Sequence, residues 1–231
     1  MLIASFPAGP LQTNCYVVAR EPGSECVIID PGMMATESVI QIVEQQDLTP
    51  VAVILTHGHI DHVFSVHDLT DRFGVPAWIH DGDRPLLSVG FDHLRMPELT
   101  AMCRQLSGGA DGLTEPAEVR SLPESGMQEF AGIEFTFRHA PGHTAGCTLV
   151  EMPYSAPDTP IDRIVFSGDV LFAGSIGRTD LPGGDHRTML RTLREVVLDL
   201  PDSAAVLSGH GGQTTIGRER ATNPYLQENM L

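Results

Sequence analysis

Basic side chains are scarce in this chain: 14 against 30 acidic ones, for a formal net charge of −16. A surface that neutralises nucleic-acid phosphates needs a surplus of cations on some face. A broad nucleic-acid partner is therefore not expected, nor is an anionic membrane surface. The acidity otherwise reads as solubility, with room for a small local basic pocket. Cysteine is sparse too. Cys15, Cys26, Cys103 and Cys147 form no close pair and no dense framework, so reduced, partly buried thiols and a reducing compartment are expected. Long apolar runs are missing. The longest lies near Val51–Leu55, far short of the roughly 20 residues a membrane helix needs. Met1–Pro10 has no basic stretch and carries two prolines and a glycine, unlike a secretory leader. The expectation is a cytoplasmic protein. With 42% apolar and 19% charged residues, it should form one globular domain over 1–231.

What is present is a mixed pattern of strands and helices. Leu2–Phe6 and Asn14–Ala19 predict an opening hairpin, and Cys26–Ile29 a short strand ending at the turn Asp30-Pro31-Gly32. Helical spacing covers Ala35–Gln46, and Val51–Leu55 predicts a buried strand. Asp61–Phe73 reads as one helix, with Val63, Phe64, Val66 and Leu69 near one face. Ala77–Ile79 is the next strand, and Pro85–Ser107 is helical in part, in a position to overhang a site. The second half repeats the scheme. Gln128–Phe130 and Ile133–Arg138 make a hairpin, Cys147–Glu151 and Ile164–Phe166 are strands, Thr188–Leu200 is a helix, and Ala204–Leu207 is a last strand. The two halves are similar in size, which suggests an internal pseudo-duplication.

The chemistry concentrates in Thr56-His57-Gly58-His59-Ile60-Asp61-His62, directly after a buried strand and before a helix. Ligands gather at such strand ends in α/β folds. His57 and His59, two apart in extended chain, point the same way and can share one cation. Asp61 and His62 open the helix and turn toward a neighbouring position, so the spacing suits two adjacent metals. Imidazole and carboxylate donors suit Zn²⁺ or other first-row divalent ions, Fe and Mn among them. Packing these donors together without a cation would leave costly polar groups at a strand end. Three more candidates, His143, Asp169 and His210, sit in loops after apolar strands, and each follows a glycine. No nucleophilic serine or cysteine pattern competes with a metal site. Cys147 has no positioned base and is expected to be structural. Arg178, in Gly177-Arg178-Thr179-Asp180, is expected to order its loop by pairing with Asp180 or another acid. His67, His80, His93, His139 and His186 are taken as surface or capping residues, with His139 nearest the site.

The motifs THGHIDH, PGHT, SGDVLF and SGHGG, in that order along nearly the whole chain, resemble the metallo-β-lactamase superfamily. GPLQTNCYVV and the IIDPG turn resemble its first strands, and GDVLFAGSIGRTDLPGGD is similar to its short bacterial glyoxalase II-like branch. The resemblance implies an α/β (α+β) fold, a four-layer αββα sandwich. It implies that His57, His59 and His143 hold one metal and that Asp61, His62 and His210 hold the other. Asp169 would bridge the two, Asp61 and Asp169 would serve catalysis, and Asp30 would orient ligating imidazoles. It also implies two divalent ions, Zn²⁺ in the first place, and a small-molecule acyl-thiol ester such as S-lactoylglutathione as substrate. After His210 only Arg218 and Arg220 offer basic contacts to glutathione, which leaves another low-molecular-weight thiol carrier open. The alternative is a persulfide dioxygenase-like enzyme with one iron on His57, His143 and Asp169. β-Lactam hydrolysis, nuclease activity and metal binding without catalysis are weaker readings.

Overall fold

The computed structural model of the chain describes residues 1–227. The first half forms a six-stranded sheet whose strands run in chain order: β1 (Leu2–Ala8), β2 (Thr13–Ala19), β3 (Glu25–Ile29), β4 (Thr49–Ile54), β5 (Ala77–Ile79) and β6 (Val119–Ser121). The first two pairings are antiparallel, and β3 through β6 run parallel. The second half builds another six-stranded sheet from β7 (Ser125–Phe130), β8 (Ile133–His139), β9 (Thr148–Pro153), β10 (Arg163–Gly168), β13 (Ala204–Ser208) and β14 (Thr214–Thr215), and β10 and β13 are its parallel pair. A short hairpin, β11 (Leu171–Phe172) and β12 (Ser175–Ile176), follows β10.

Side-chain alternation decides how the layers stack. Val18, Val27, Ile29 and Ile54 of the first sheet meet Phe135, Phe137, Val150 and Phe166 of the second in one buried cluster. Their chain neighbours point the other way. Val17, Ile28 and Val53 pack against Val39 and Val43 of α1 (Thr36–Gln45) and Val66 and Leu69 of α3 (Val66–Phe73). Leu149, Val165 and Val206 pack against Met189 of α5 (His186–Thr192) and against Leu193 and Val197 in the π turn that continues it. Strands buried on both faces need apolar residues at every position, which is why these segments read as runs. The outcome is the αββα layering that the motifs imply.

Several elements differ from the sequence reading. Asp61–Phe73 is not one helix: α2 (Ile60–Val63) and α3 are separated at Phe64–Ser65. Ser65 is drawn to the turn after β3, its N–H donating to the Pro31 carbonyl and its hydroxyl to that of Gly32. That tertiary pull outweighs helical continuation. Within Pro85–Ser107 only α4 (Pro97–Leu106) is α-helical, after two 3₁₀ turns at Arg84–Leu87 and Phe91–Leu94. The chain does not stop forming elements at Leu207, because β14 and α6 (Ile216–Thr222) follow. Glu219 of α6 is fully buried, accepting from Thr214 Oγ1 (2.6 Å), Gly174 N (2.7 Å) and Asn223 Nδ2 (2.9 Å). It ties the end of the chain to the β11–β12 turn. All four cysteines are free and buried. No described helix is long and apolar enough to cross a membrane.

Phe166 sits between the sheets, fully buried and edge-on to Tyr16 at 5.1 Å. Phe166→Ala should cost about 3–5 kcal/mol, read as a lowered urea midpoint with unchanged slope.

Candidate metal centre

The parallel strands deliver the candidate donors to one edge of the sandwich. Asp30 follows β3, His57 to His62 follow β4, Asp169 follows β10 and His210 follows β13, while His143 lies in the β8–β9 connection. Ligand sites of α/β folds lie outside such carboxyl ends. The sheets are cross-braced there. Asn14 at the start of β2 donates from its side chain to the carbonyls of Ser208 and Gly211, and from its backbone to that of Gly209. Close approach depends on glycine at two points. A Cβ on Gly168, where φ is +48°, would collide with Thr56 Oγ1, and one on Gly209 with the Asp169 carboxylate. These are two of the three glycines that precede His143, Asp169 and His210.

Two triads result. His57, His59 and His143 offer ring nitrogens within 4.8 Å of one another, and so do the donor atoms of Asp61, His62 and His210. Asp169 stands between them. Its Oδ1 is 3.3 Å from His62 Nε2, and its Oδ2 is 3.5 Å from Nε2 of both His143 and His210. Asp61 Oδ2 is 3.1 Å from His210 Nε2 and 3.7 Å from His62 Nε2. Yet His57 Nε2, His62 Nε2, His143 Nε2 and Asp169 Oδ1 are buried with no hydrogen-bond partner. The 3.3 Å approach is therefore a distance without hydrogen-bond geometry. Each such buried orphan costs about 1–3 kcal/mol. Four around one point is the pattern of lone pairs arranged to ligate cations, so the residues fit a pair of divalent ions.

Hydrogen bonds on the far side of the rings settle the tautomers. His143 Nδ1 faces the Arg178 carbonyl at 2.7 Å, which can only accept, so Nδ1 carries the proton and the Nε2 lone pair is free. His62 Nδ1 donates to Asp30 Oδ2 at 2.9 Å. Thr56 gives its hydroxyl proton to the same Oδ2 at 2.6 Å, so its oxygen accepts from His57 Nδ1 at 3.2 Å. Asp30 Oδ1 accepts the Thr56 N–H at 2.8 Å. One carboxylate thus orients two imidazoles, which explains why Asp30 also fits a three-donor group with His57 and His62. Such partners raise ligand basicity and fix ring direction.

Charge follows the same layout. Burial, reinforced by the surrounding imidazoles, holds His57 well below the usual histidine range, and burial takes His59 down to about 3. Burial also lowers His143. Burial would lower His62 as well, but Asp169, Asp61 and Asp30 overcome it and raise the group well above the ordinary value. Burial opposes ionisation of Asp61 and Asp169 too, yet His62 above all holds both carboxyls below their usual range. The centre is built for positive charge.

Arg178 lies where the sequence reading puts it. Its guanidinium makes a two-pronged pair with Asp180 at 2.7 Å, while its carbonyl rather than its side chain serves His143. Cys147 is buried against Thr144 at 3.0 Å, and burial pushes its thiol up, away from nucleophile chemistry. Asp83 escaped the sequence reading. Its carboxylate accepts from Gly58 N (2.8 Å), Thr144 Oγ1 (2.6 Å) and Gly146 N (2.7 Å), lashing the first histidine loop to the loop of His143. Thr13, also missed, donates to Asp61 Oδ2 at 2.8 Å. His80 is buried rather than on the surface, stacked on His139 at 4.0 Å with Glu124 across both rings. His80 Nδ1 accepts from Gly82 N, so its Nε2 presents a proton to Glu124 and not a metal-binding lone pair. His139 donates to the Ala145 carbonyl, beside the His143 loop.

Known proteins carry the same arrangement of chain. The family described as the metallo-beta-lactamase superfamily matches residues 8–210. The Haemophilus influenzae protein named hydroxyacylglutathione hydrolase GloC is 34% identical over 231 residues, covering 98% of each chain. Among solved structures, BLEG-1 B3 metallo-beta-lactamase is 35% identical with a TM-score of 0.78, covering 97% of this chain and 99% of that one. TTHA1623 in a di-iron-bound form is also 35% identical, with a TM-score of 0.72 over 98% of this chain and 100% of that one. With that match spanning the first strands to the last candidate ligand, the chain belongs to the metallo-beta-lactamase superfamily.

Proposed function

We propose that this chain is a metal-dependent hydrolase of acyl-thiol esters, similar in activity to glyoxalase II. The observation that carries the reading is the convergence of two complete donor triads on Asp169, with four buried donor atoms left unpartnered. A complete and separately braced second triad, with Asp61 held by Thr13 and His62 by Asp30, favours two ions over one. The similarity to the protein named GloC supports the thioester class, and the di-iron form of TTHA1623 leaves iron open beside zinc.

When bound, two divalent cations would supply Lewis acidity, making a water ionisable near neutrality and drawing on the carbonyl oxygen of the ester. His57, His59 and His143 would hold one ion, Asp61, His62 and His210 the other, and Asp169 would face both. In the overall reaction water adds to the acyl carbon, the carbon–sulfur bond breaks, and a carboxylic acid and a thiol leave. Asp61 and Asp169 remain ionised and acceptor-only, so they can take hydrogen bonds from the attacking water and aim its lone pair. Asp30 and Thr56 keep the Nδ1 protons of His62 and His57 turned away from the reacting centre. A thiolate departs without prior protonation, in keeping with a centre whose carboxyls are held ionised.

Metal analysis beside two assays tests this. Two ions per chain with thiol release from S-lactoylglutathione or a related thioester is the expected result. One iron with oxygen uptake on glutathione persulfide would replace it with the dioxygenase reading. A chromogenic cephalosporin, the comparison substrate suggested by BLEG-1, should turn over far more slowly than the thioester. Asp169→Ala should lower thioester turnover by about two to three orders of magnitude and bring bound metal below two per chain; full activity would refute its role between the triads. Asp30→Asn should weaken metal affinity by about 10–100-fold in competition with a chromophoric chelator, with the far-ultraviolet circular dichroism unchanged.

A further inference from the structure

The candidate donors form the floor of a cleft of about 1000 Å³, reached by His59, Asp61, His143, Asp169 and His210. The rest of its lining is unusual for a site that would take a small hydroxyacyl group on a charged tripeptide. Leu86, Leu94, Leu99 and Met102 come from the 84–106 segment, and Phe172 and Leu181 from the stretch after β10. All six remain half-buried, although Leu94, Leu99 and Met102 pack on a fourth apolar cluster that holds Phe91 and Cys103. Met96 and Leu11, at 41% and 39% exposure, extend the same surface.

Charge on the cleft is sparse by comparison. All 14 basic residues of the chain are arginines, and only Arg95 and Arg178 line the cleft. Asp180 already occupies the Arg178 guanidinium. The two arginines near the chain end are no substitute. Neither lines the cleft, and Arg220 is spent on Asp202 and on the carbonyls of Leu198 and Leu200. A ligand with several carboxylates would thus find few free cations along the walls to pair with the groups that do not react. An apolar chain would instead cover side chains that water now touches.

We infer that the thioesters this cleft favours carry an apolar acyl chain of several carbons, laid along the Leu86–Met102 wall with the carbonyl over Asp169. The inference rests on the thioesterase reading and specifies its substrate class. The 84–106 segment is then a specificity element, and its apolar face selects chain length.

The test is a series of acetyl, butyryl, hexanoyl and octanoyl esters of N-acetylcysteamine, an uncharged thiol, on the metal-loaded protein. The value of kcat/KM should climb by about threefold to fourfold per methylene while the chain stays inside the cleft. Calorimetric binding of the non-hydrolysable S-butyl and S-octyl thioethers should tighten in step. Leu99→Gln and Met102→Gln should flatten the series. The readout is the ratio of octanoyl to acetyl rates, which a general loss of stability leaves untouched. Rates and affinities that are flat or falling with chain length, or lower than that for S-lactoylglutathione throughout, would overturn the inference while leaving the hydrolase reading standing. Chain-dependent thioether binding with no hydrolysis of any thioester would do the reverse: the apolar cleft would stand and the thioesterase reading would fall.

Discussion

The Asp30 carboxylate is the pivot of this structure. One oxygen takes the His62 Nδ1–H and the Thr56 hydroxyl, the other takes the Thr56 N–H. Through Thr56 it also sets the direction of His57. Two imidazoles, one from each triad, therefore owe their orientation to a side chain that does not line the cleft. Asp30 itself adopts a left-handed backbone, at φ +49°. Asp tolerates that region better than most residues, and the hydrogen bonds that it accepts there hold the carboxylate inward.

Around that pivot, the sandwich acts as a frame that brings distant loops to one edge. The two sheets need each other because their inner faces are aromatic and aliphatic, and helices cover both outer faces. Once stacked, the carboxyl ends of β4, β10 and β13 lie side by side. Asp83 then ties the loop of His57 to the loop of His143, and Asn14 ties β2 to the loop of His210. The donors are held from behind by hydrogen-bonded neighbours, and four of their buried donor atoms are left unpartnered where the two triads meet. Preorganisation of that kind lets a bound cation act without a cost of rearrangement.

The proposed specificity element is a different part of the chain. The frame and most of the donors are buried, whereas the 84–106 segment and the stretch after β10 line the cleft with apolar side chains only half covered. On that proposal these segments would touch the part of the ligand that does not react, leaving the centre itself unchanged.

The amino-acid sequence alone determined the strands buried on both faces, since continuous runs such as Cys26–Ile29 and Ile164–Phe166 have no other economical place. It also marked out the seven candidate donors, because clustered histidines after a buried strand and glycine-led loops are local signals, while Asp30 stood out only through the resemblance of its IIDPG turn to a known family. Only the tertiary structure decided what depends on remote partners. Ser65 breaks the expected helix because the Pro31–Gly32 turn lies within reach of it. Asp83 looks like an ordinary turn acid until Gly58, Thr144 and Gly146 close around it. Glu219 looks like a surface residue of a polar helix until Thr214, Gly174 and Asn223 bury it. His139 and Glu124 are neighbours across the β7–β8 hairpin, and His80, just after β5, joins them only when the two sheets stack. A residue's own neighbours in the chain set its conformational preference, but its hydrogen-bond partners and its share of solvent are set by which surfaces the fold brings together.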